Sequence, residues 1–221
     1  RHAHCRPVVL MPGFAAAEFC ETVEREHVTS TSLAATMLAS LVELLEVEPG
    51  RVTQLRSLVS MAYGAAPMPT SLLRRADALL GVDFAQGYGM TELSGNAVFL
   101  NAAAHRRGLD GEASLLEAAG VPVDGVEVRL VDDDGSSVAD GEAGEITIRA
   151  AQVMLGYLDA EDATSAALRD GWLYTGDIGR MTDGLLYVVD RKKDIIITGG
   201  ENVSSLEVEA SVLEHRDVAR V

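Results

Sequence analysis

Residues 82–95 read VDFAQGYGMTELSG. Val82 to Ala85 has the composition of a short strand. The ten residues that follow hold three glycines, with Thr91 and Glu92 between the second and the third. Gly87 and Gly89 let a backbone adopt unusual dihedrals and approach a ligand closely. Thr91 can donate a hydrogen bond to a phosphate oxygen, and Glu92 can coordinate Mg2+, a hard cation that prefers oxygen ligands. The same pair also suits a plain helix start, with Thr91 as N-cap and Glu92 as a first-turn acid. This stretch alone does not choose between the two readings.

Working outward, residues 69–80 form an amphipathic helix with Leu72, Leu73, Leu79 and Leu80 on one side. Residues 55–62 (LRSLVSMA) read as a buried strand, running into a turn over Gly64 to Pro67. Further upstream, Ala34, Met37, Leu38, Leu41, Leu44 and Leu45 follow the i, i+3, i+4, i+7 pattern, so 33–46 is a helix ended by Pro49-Gly50. Residues 15–28 read as another helix, and PVVLM, 7–11, as a short buried strand. Strand and helix alternate, which is the rhythm of an α/β layer with parallel strands.

The texture changes near residue 121. Val126, Val128 and Leu130 alternate with polar residues, DDDGSS reads as a hairpin turn, and EITIR, 145–149, alternates again. Leu185 to Val189 follows a turn at Asp183-Gly184. This is a module of short β-strands, barrel-like in pattern. After Asp194 come a strand (IIIT), a turn (GGEN) and a helix capped by Ser204 or Ser205, with Glu207 at capping-box spacing from Ser204. The expected organisation is an α/β part over 1–120, a β module over 121–190, a hinge at 191–193 and an α+β segment from 194 to 221. The Ala-rich stretch 101–120 is read as a connector with room for helical turns.

The 221 residues carry 18 Lys plus Arg against 34 Asp plus Glu, a formal charge of -16. Bulk attraction to nucleic acid or an anionic membrane is excluded, so any phosphate must be held locally, by backbone N–H groups, a metal or a few placed cations. The two cysteines, Cys5 and Cys20, form no CxxC and read as reduced thiols of a cytoplasmic protein. No apolar run approaches the roughly 18–20 residues of a spanning helix. The opening RHAHCRPVVLM, without Met, reads as the interior of a longer chain.

Three further stretches matter. In GWLYTGDIG, 171–179, Asp177 sits between glycines. Alone it reads as a turn residue, yet one carboxylate can accept both hydroxyls of a ribose. In DRKKDIIITGGENVSSLEVE, 190–209, five charged residues in a row mark the junction between modules, and a glycine pair follows. Arg191 is permanently charged and fork-shaped, suited to a nucleotide's ribose or phosphate. In SMAYGAAPMP, 60–69, small residues end a strand, leaving room for a flat ring or for close packing. Met61, Tyr63 and Met90 are candidate pocket linings. The five histidines are scattered and read as surface or packing residues.

Taken together and in this order, these stretches resemble the adenylate-forming enzymes, a superfamily that includes acyl-CoA synthetases, adenylation domains of nonribosomal peptide synthetases and beetle luciferases. GYGMTE, the TGD of GWLYTGD, and DRKKDIII with GGEN carry the resemblance, which covers nearly the whole chain. It implies an adenine-binding turn at Gly64, Ala65 and Ala66. It implies that Gln86, Gly87, Tyr88, Gly89, Met90 and Thr91 wrap the AMP moiety, with Thr91 at its phosphate and Glu92 on Mg2+. Asp177 would hold the ribose hydroxyls with Arg191 as its basic companion. Lys193 would be the hinge, and Gly199 and Gly200 would approach the pantetheine arm of CoA. The wording of GVPVDGVEVRLVDDDG and GGENVSSLEVE is most similar to fatty-acyl-CoA ligases. The implied partners are a carboxylic acid, ATP and CoA. An aryl or amino acid delivered to a carrier protein is the alternative within this chemistry, and a non-catalytic nucleotide-binding homologue the alternative outside it. The family's phosphate loop and its C-terminal lysine match nothing in the chain, so these residues alone are expected to show negligible ligase activity and marginal stability.

Overall fold

The computed structural model describes residues 7–64, 68–198, 201–213, 215 and 218. The chain forms two compact units, residues 1–88 with 100–117, and residues 89–99 with 118–221.

In the first unit, β1 (Ser30–Leu33), β2 (Ser60–Gly64) and the start of β3 (Asp83–Met90) pair in parallel, with Ser30 opposite Ser60 and Gly64 opposite Gly87. Parallel neighbours need crossovers, supplied by α2 (Ala35–Val47) and α3 (Thr70–Leu80). Leu38, Leu41, Val42 and Leu45 form the buried stripe of α2 and pack with Met61, Leu73 and Phe84. Met37 lies outside that stripe and is 37% exposed. α3 ends where Gly81 takes φ 59, the left-handed cap that glycine adopts without strain. The helix expected at 15–28 is α1 (Ala16–Glu26), closed by His27 at φ 51. The expected connector contains α4 (Ala102–Asp110) and a 3-10 turn, Ala113–Glu117.

Four expectations need correction here. PVVLM forms no strand, and Leu10 is 87% exposed. Apolar composition does not make a strand without a partner ladder. β1 was not expected, because the helical pattern of α2 absorbed Leu33 and the rest of STSL offers one β-branched residue, Thr31. The strand read at 55–62 begins only at Ser60, because Pro49–Leu55 winds into a 3-10 turn. Gly64 therefore ends the strand rather than opening a turn. Finally, β3 runs through Gly87 and Gly89 to Met90. The glycines serve close approach within extended chain: a Cβ on Gly64 would strike the Gly87 carbonyl.

A buried polar pair sits in this unit. His105 is 1% exposed and Tyr63 2%. The ring Nδ1 lies 3.0 Å from the Asn101 carbonyl, which can only accept, so Nδ1 carries the proton. Nε2 is then the acceptor for the Tyr63 hydroxyl at 2.8 Å. Burial pushes the His105 pKa down, more strongly than the Asn101 carbonyl raises it, and burial pushes the Tyr63 phenol up.

In the second unit, β6 (Val126–Val131), β7 (Ala143–Ala150), β9 (Trp172–Thr182) and β10 (Leu185–Arg191) form an antiparallel sheet in the order β10-β9-β7-β6. Short β8 (Leu168–Arg169) pairs with β9, and α5 (Glu161–Ala167) precedes it. β4 (Gly95–Leu100) and β5 (Val121–Pro122) pair antiparallel, Val98 opposite Pro122. Leu130, Val131, Ile146, Ile148, Leu173 and Leu186 are buried apolar side chains of the sheet. Asp183 (φ 52) and Gly184 (φ 77) turn β9 into β10 with two left-handed residues, the pattern that matches strand twist. β11 (Ile196–Thr198) and β12 (Glu201–Val203) form a hairpin, followed by α6 (Ser205–Leu213).

The cap of α6 differs from the capping box read in the sequence. The Ser204 hydroxyl donates to the Val189 carbonyl. The acceptor for the Ser205 N–H and hydroxyl is the carboxylate of Asp190, at the end of β10 and 3% exposed. Burial pushes that carboxyl up, but the Ser205 and Arg191 hydrogen bonds outweigh it and hold the pKa below the ordinary aspartate value.

The buried imidazole makes stability pH-dependent. The folded pKa of His105 is depressed, so the unfolded chain binds the extra proton first as pH falls. Stability is therefore fully present above the unfolded value of about 6.5 and declines below it. Urea melts at pH 7.5 and pH 5.5 should show the lower midpoint at pH 5.5. Tyr63→Phe removes the donor to Nε2 and should cost about 1–3 kcal/mol at neutral pH.

Candidate functional site

β9 and β7 pair out of step. Glu145 stands opposite Ile178 and Thr147 opposite Tyr174, so Thr175, Gly176 and Asp177 of β9 face only Ile146. The TGD stretch is a bulge, a device that redirects side chains beside sites. Gly176 takes φ 73, which favours glycine. Its N–H, lost to the ladder, donates to Glu145 Oε1 at 3.2 Å. The Thr175 hydroxyl donates to the Ile146 carbonyl at 2.8 Å and accepts from the Asp177 N–H at 3.1 Å. The Gly176 carbonyl accepts from the Lys192 N–H at 2.8 Å. Both backbone groups of Gly176 and the amide of Asp177 thus find partners within the bulge or beside it.

Register places Arg191 of β10 opposite Asp177, with Arg191 Nε 3.8 Å from Asp177 Oδ1. Lys192 lies between Asp133 at 2.8 Å and Glu145 at 3.1 Å, and these hydrogen bonds, Asp133 first, raise its pKa. Glu145 therefore bridges the bulge and the cationic run with one side chain.

The second half of the site comes from the residues after β3. A Cβ on Gly89 would collide with the Gly95 carbonyl, so the chain here tolerates no side chain. Thr91–Leu93 is a single 3-10 turn with no side-chain cap, which excludes the helix N-cap reading of Thr91. The Glu92 carbonyl accepts from the Met154 N–H at 2.7 Å, and its carboxylate accepts from the Tyr157 hydroxyl at 2.8 Å.

These pieces meet. A cavity of about 500 Å3 is lined by Met90, Glu92, Thr175, Gly176, Asp177, Arg191, Lys192 and Lys193. Of the residues singled out in the sequence, it brings together Met90, Glu92, Asp177, Arg191 and Lys193. Thr91 is exposed one residue away from Glu92 and is not part of the lining. Gln86, Gly87 and Tyr88 lie on β3 in the first unit, and Gly64 pairs with Gly87 there. Met61 and Tyr63 are core side chains rather than pocket linings. Ala65, Ala66, Gly199 and Gly200 lie outside the described residues. A second hollow, about 560 Å3, lies in the first unit among Glu21, Glu24, Glu48 and Arg51. Its charges pair with one another, and it gathers no motif residue.

Sequence reading missed Glu145, Thr175, Lys192 and Tyr157. Thr175 precedes Gly-Asp at hydrogen-bonding distance along the chain, a signal for an ST-type turn. Glu145 and Tyr157 carry no local signal, since their partners are 31 and 65 residues away.

The donor set suits a cation only in part. No cluster of three or more His, Cys, Asp or Glu that could hold a metal exists among the described residues. Two carboxylates line the cavity, Glu92 and Asp177 beside Arg191; so few protein oxygens fit Mg2+ carried by substrate phosphates and water, its usual mode. Cys20 is buried, and burial raises its thiol pKa, so it offers no nucleophile.

Residues 3–158 match the AMP-binding enzyme family, and the chain belongs to it. It is 37% identical over 214 residues to 2-succinylbenzoate–CoA ligase of Bacillus velezensis, covering 96% of this chain and 41% of that protein. It is 36% identical over 215 residues to the medium/long-chain-fatty-acid–CoA ligase FadD8 of Mycobacterium tuberculosis, covering 97% and 36%. Among solved structures, O-succinylbenzoate coenzyme A synthetase (MenE) from Bacillus subtilis, in complex with ATP and magnesium ion, superposes with TM-score 0.79 at 34% identity over 94% of this chain and 41% of that one. The chain thus spans about two fifths of the length of such relatives. In the helices of the described residues, none is long and apolar enough to cross a membrane.

Removing the Glu145 carboxylate should loosen the bulge. Glu145→Ala leaves the Gly176 N–H without its acceptor, at a cost of about 1–3 kcal/mol read from urea melts. A Glu145→Ala midpoint equal to that of the unaltered chain would show that the contact carries no weight.

Proposed function

We propose that this chain is the nucleotide-holding part of an AMP-forming acid–thiol ligase that activates a carboxylic acid, a fatty acid by preference, as its acyl-adenylate and transfers the acyl group to CoA. The observation that carries the reading is the convergence of Glu92, Asp177 and Arg191 on one cavity in a chain of formal charge -16. Asp177 accepts hydrogen bonds from the two ribose hydroxyls, held in place by the bulge beneath it. Arg191, with Nε 3.8 Å from that carboxylate, adds a cation beside the ribose and phosphate. Thr91, exposed next to Glu92, donates to a phosphate oxygen. The match of wording over 120–135 and 199–209 to fatty-acyl-CoA ligases supports the acid class, as does the similarity to the mycobacterial medium/long-chain-fatty-acid–CoA ligase.

In the first step a carboxylate oxygen bonds to the α-phosphorus of ATP and the bond to the bridging oxygen breaks, releasing pyrophosphate. In the second the CoA thiolate bonds to the acyl carbon and AMP leaves with the electron pair. Both steps build negative charge on phosphoryl oxygens, so fixed dipoles and cations aimed at them lower the barrier. Mg2+, with Glu92 as its protein ligand, would supply charge neutralisation there. Neither step requires a side-chain nucleophile. Lys193 follows the tethered Lys192 and is the proposed hinge; Gly199 and Gly200 are proposed to face the CoA arm.

Calorimetric titration with AMP tests the ribose assignment. Asp177→Ala should weaken AMP binding about 10- to 100-fold, the loss of a charge-assisted pair worth roughly 1.5–3 kcal/mol. Unchanged affinity would refute the site. Acid-dependent pyrophosphate exchange by the longer enzyme, with fatty, aryl and amino acids compared, reads the acid class directly.

A further inference from the structure

We propose that Tyr157 is a positioning residue for Glu92, holding its carboxylate so that one oxygen stays turned to the cation. The inference rests on the reading of Glu92 as the cation's protein ligand.

The geometry builds the arm that carries Tyr157 from both sides. Gly156 takes φ 153, and a Cβ there would sit 2.8 Å from the Thr164 methyl, so only glycine lets the backbone pass this close to α5. The Tyr157 N–H donates to the Thr164 hydroxyl at 2.9 Å, and that hydroxyl donates to the Ala160 carbonyl at 2.9 Å. On the other side, residues 152–157 are fastened to residues 92–96 by four hydrogen bonds. These are the Tyr157 hydroxyl to Glu92 Oε1, the Met154 N–H to the Glu92 carbonyl, the Ser94 hydroxyl to the Gln152 carbonyl and the Gln152 amide to the Asn96 carbonyl. Main chain and side chain of Glu92 are thus gripped by the same arm.

Packing does not explain the tyrosine. Its side chain belongs to a residue 41% exposed, and its neighbours Leu155 and Leu158 are 101% and 91% exposed. What orients the phenol is the hydrogen bond to a carboxylate, charge-assisted and stronger than a neutral one. Glutamate, a side chain of several rotatable bonds, loses rotamer freedom when fixed. A carboxylate already held at Oε1 has met part of that cost before the cation arrives, and Oε2 remains to bind it.

The test is calorimetric titration of the chain with ATP, in EDTA and in saturating Mg2+. The unaltered chain should bind ATP more tightly with Mg2+. Glu92→Gln should abolish that gain. Tyr157→Phe should keep the affinity seen in EDTA and reduce the Mg2+ gain roughly fivefold, the worth of about 1 kcal/mol. Circular dichroism melts of Tyr157→Phe should coincide with those of the unaltered chain. If Tyr157→Phe keeps the full gain while Glu92→Gln loses it, the positioning role is overturned and the site reading stands. If Tyr157→Phe weakens binding equally in both buffers, the residue is merely structural and the proposal fails. If Glu92→Gln keeps the gain, or no gain exists, the cation reading fails and the proposal falls with it.

Discussion

Three residues of β9 stand opposite one residue of β7, and the second unit's chemistry depends on that mismatch. A regular ladder would have alternated Thr175, Gly176 and Asp177 between the faces of the sheet and committed their amides in turn to β7 and β10. The bulge frees the Gly176 N–H and turns Asp177 toward β10, where the register sets Arg191 against it. Freed backbone groups are costly unless they find partners. Glu145, the Thr175 hydroxyl and the Lys192 N–H supply them. A distortion that would destabilise an ordinary sheet here becomes the rigid seat of a carboxylate.

The charges follow the same economy. The chain is strongly acidic, yet three consecutive cations, Arg191, Lys192 and Lys193, border the cavity. They are not equivalent. Lys192 is engaged with Asp133 and Glu145 and fastens the loop. Arg191, 3.8 Å from Asp177, keeps most of its fork toward solvent, its side chain 66% exposed. In so acidic a chain the run concentrates positive charge at one place, as the proposed phosphate site requires.

Much of this was legible in the sequence. The helices near 15–28, 33–46 and 69–80 and the turn at Asp183-Gly184 were read from local chemistry and are present. Asp177, Arg191 and Glu92 were picked out by residue type and company. Local signals failed where pairing decides the outcome. PVVLM has strand composition without a ladder, and the glycines of β3 looked like a loop because glycine weakens strands in general. Here their lack of a side chain permits extended chains to touch. Glu145 occupies a strand position whose alternation suggested a solvent face, yet its side chain is only 12% exposed. Tyr157 looked like one aromatic among apolar residues. Neither could be identified without knowing which distant segment lies beside it.

Asp190 has a consequence of its own. An ordinary N-cap comes from the residue adjoining the helix and unravels with it. The N-terminus of α6 is instead held by a carboxylate fifteen positions upstream, anchored in β10. Undoing that first turn would strip a nearly inaccessible anion of its donors and bare the helix amides at the same moment. The two losses come together or not at all. The helix is thereby given a polarity of melting: the end nearest the sheet opens last.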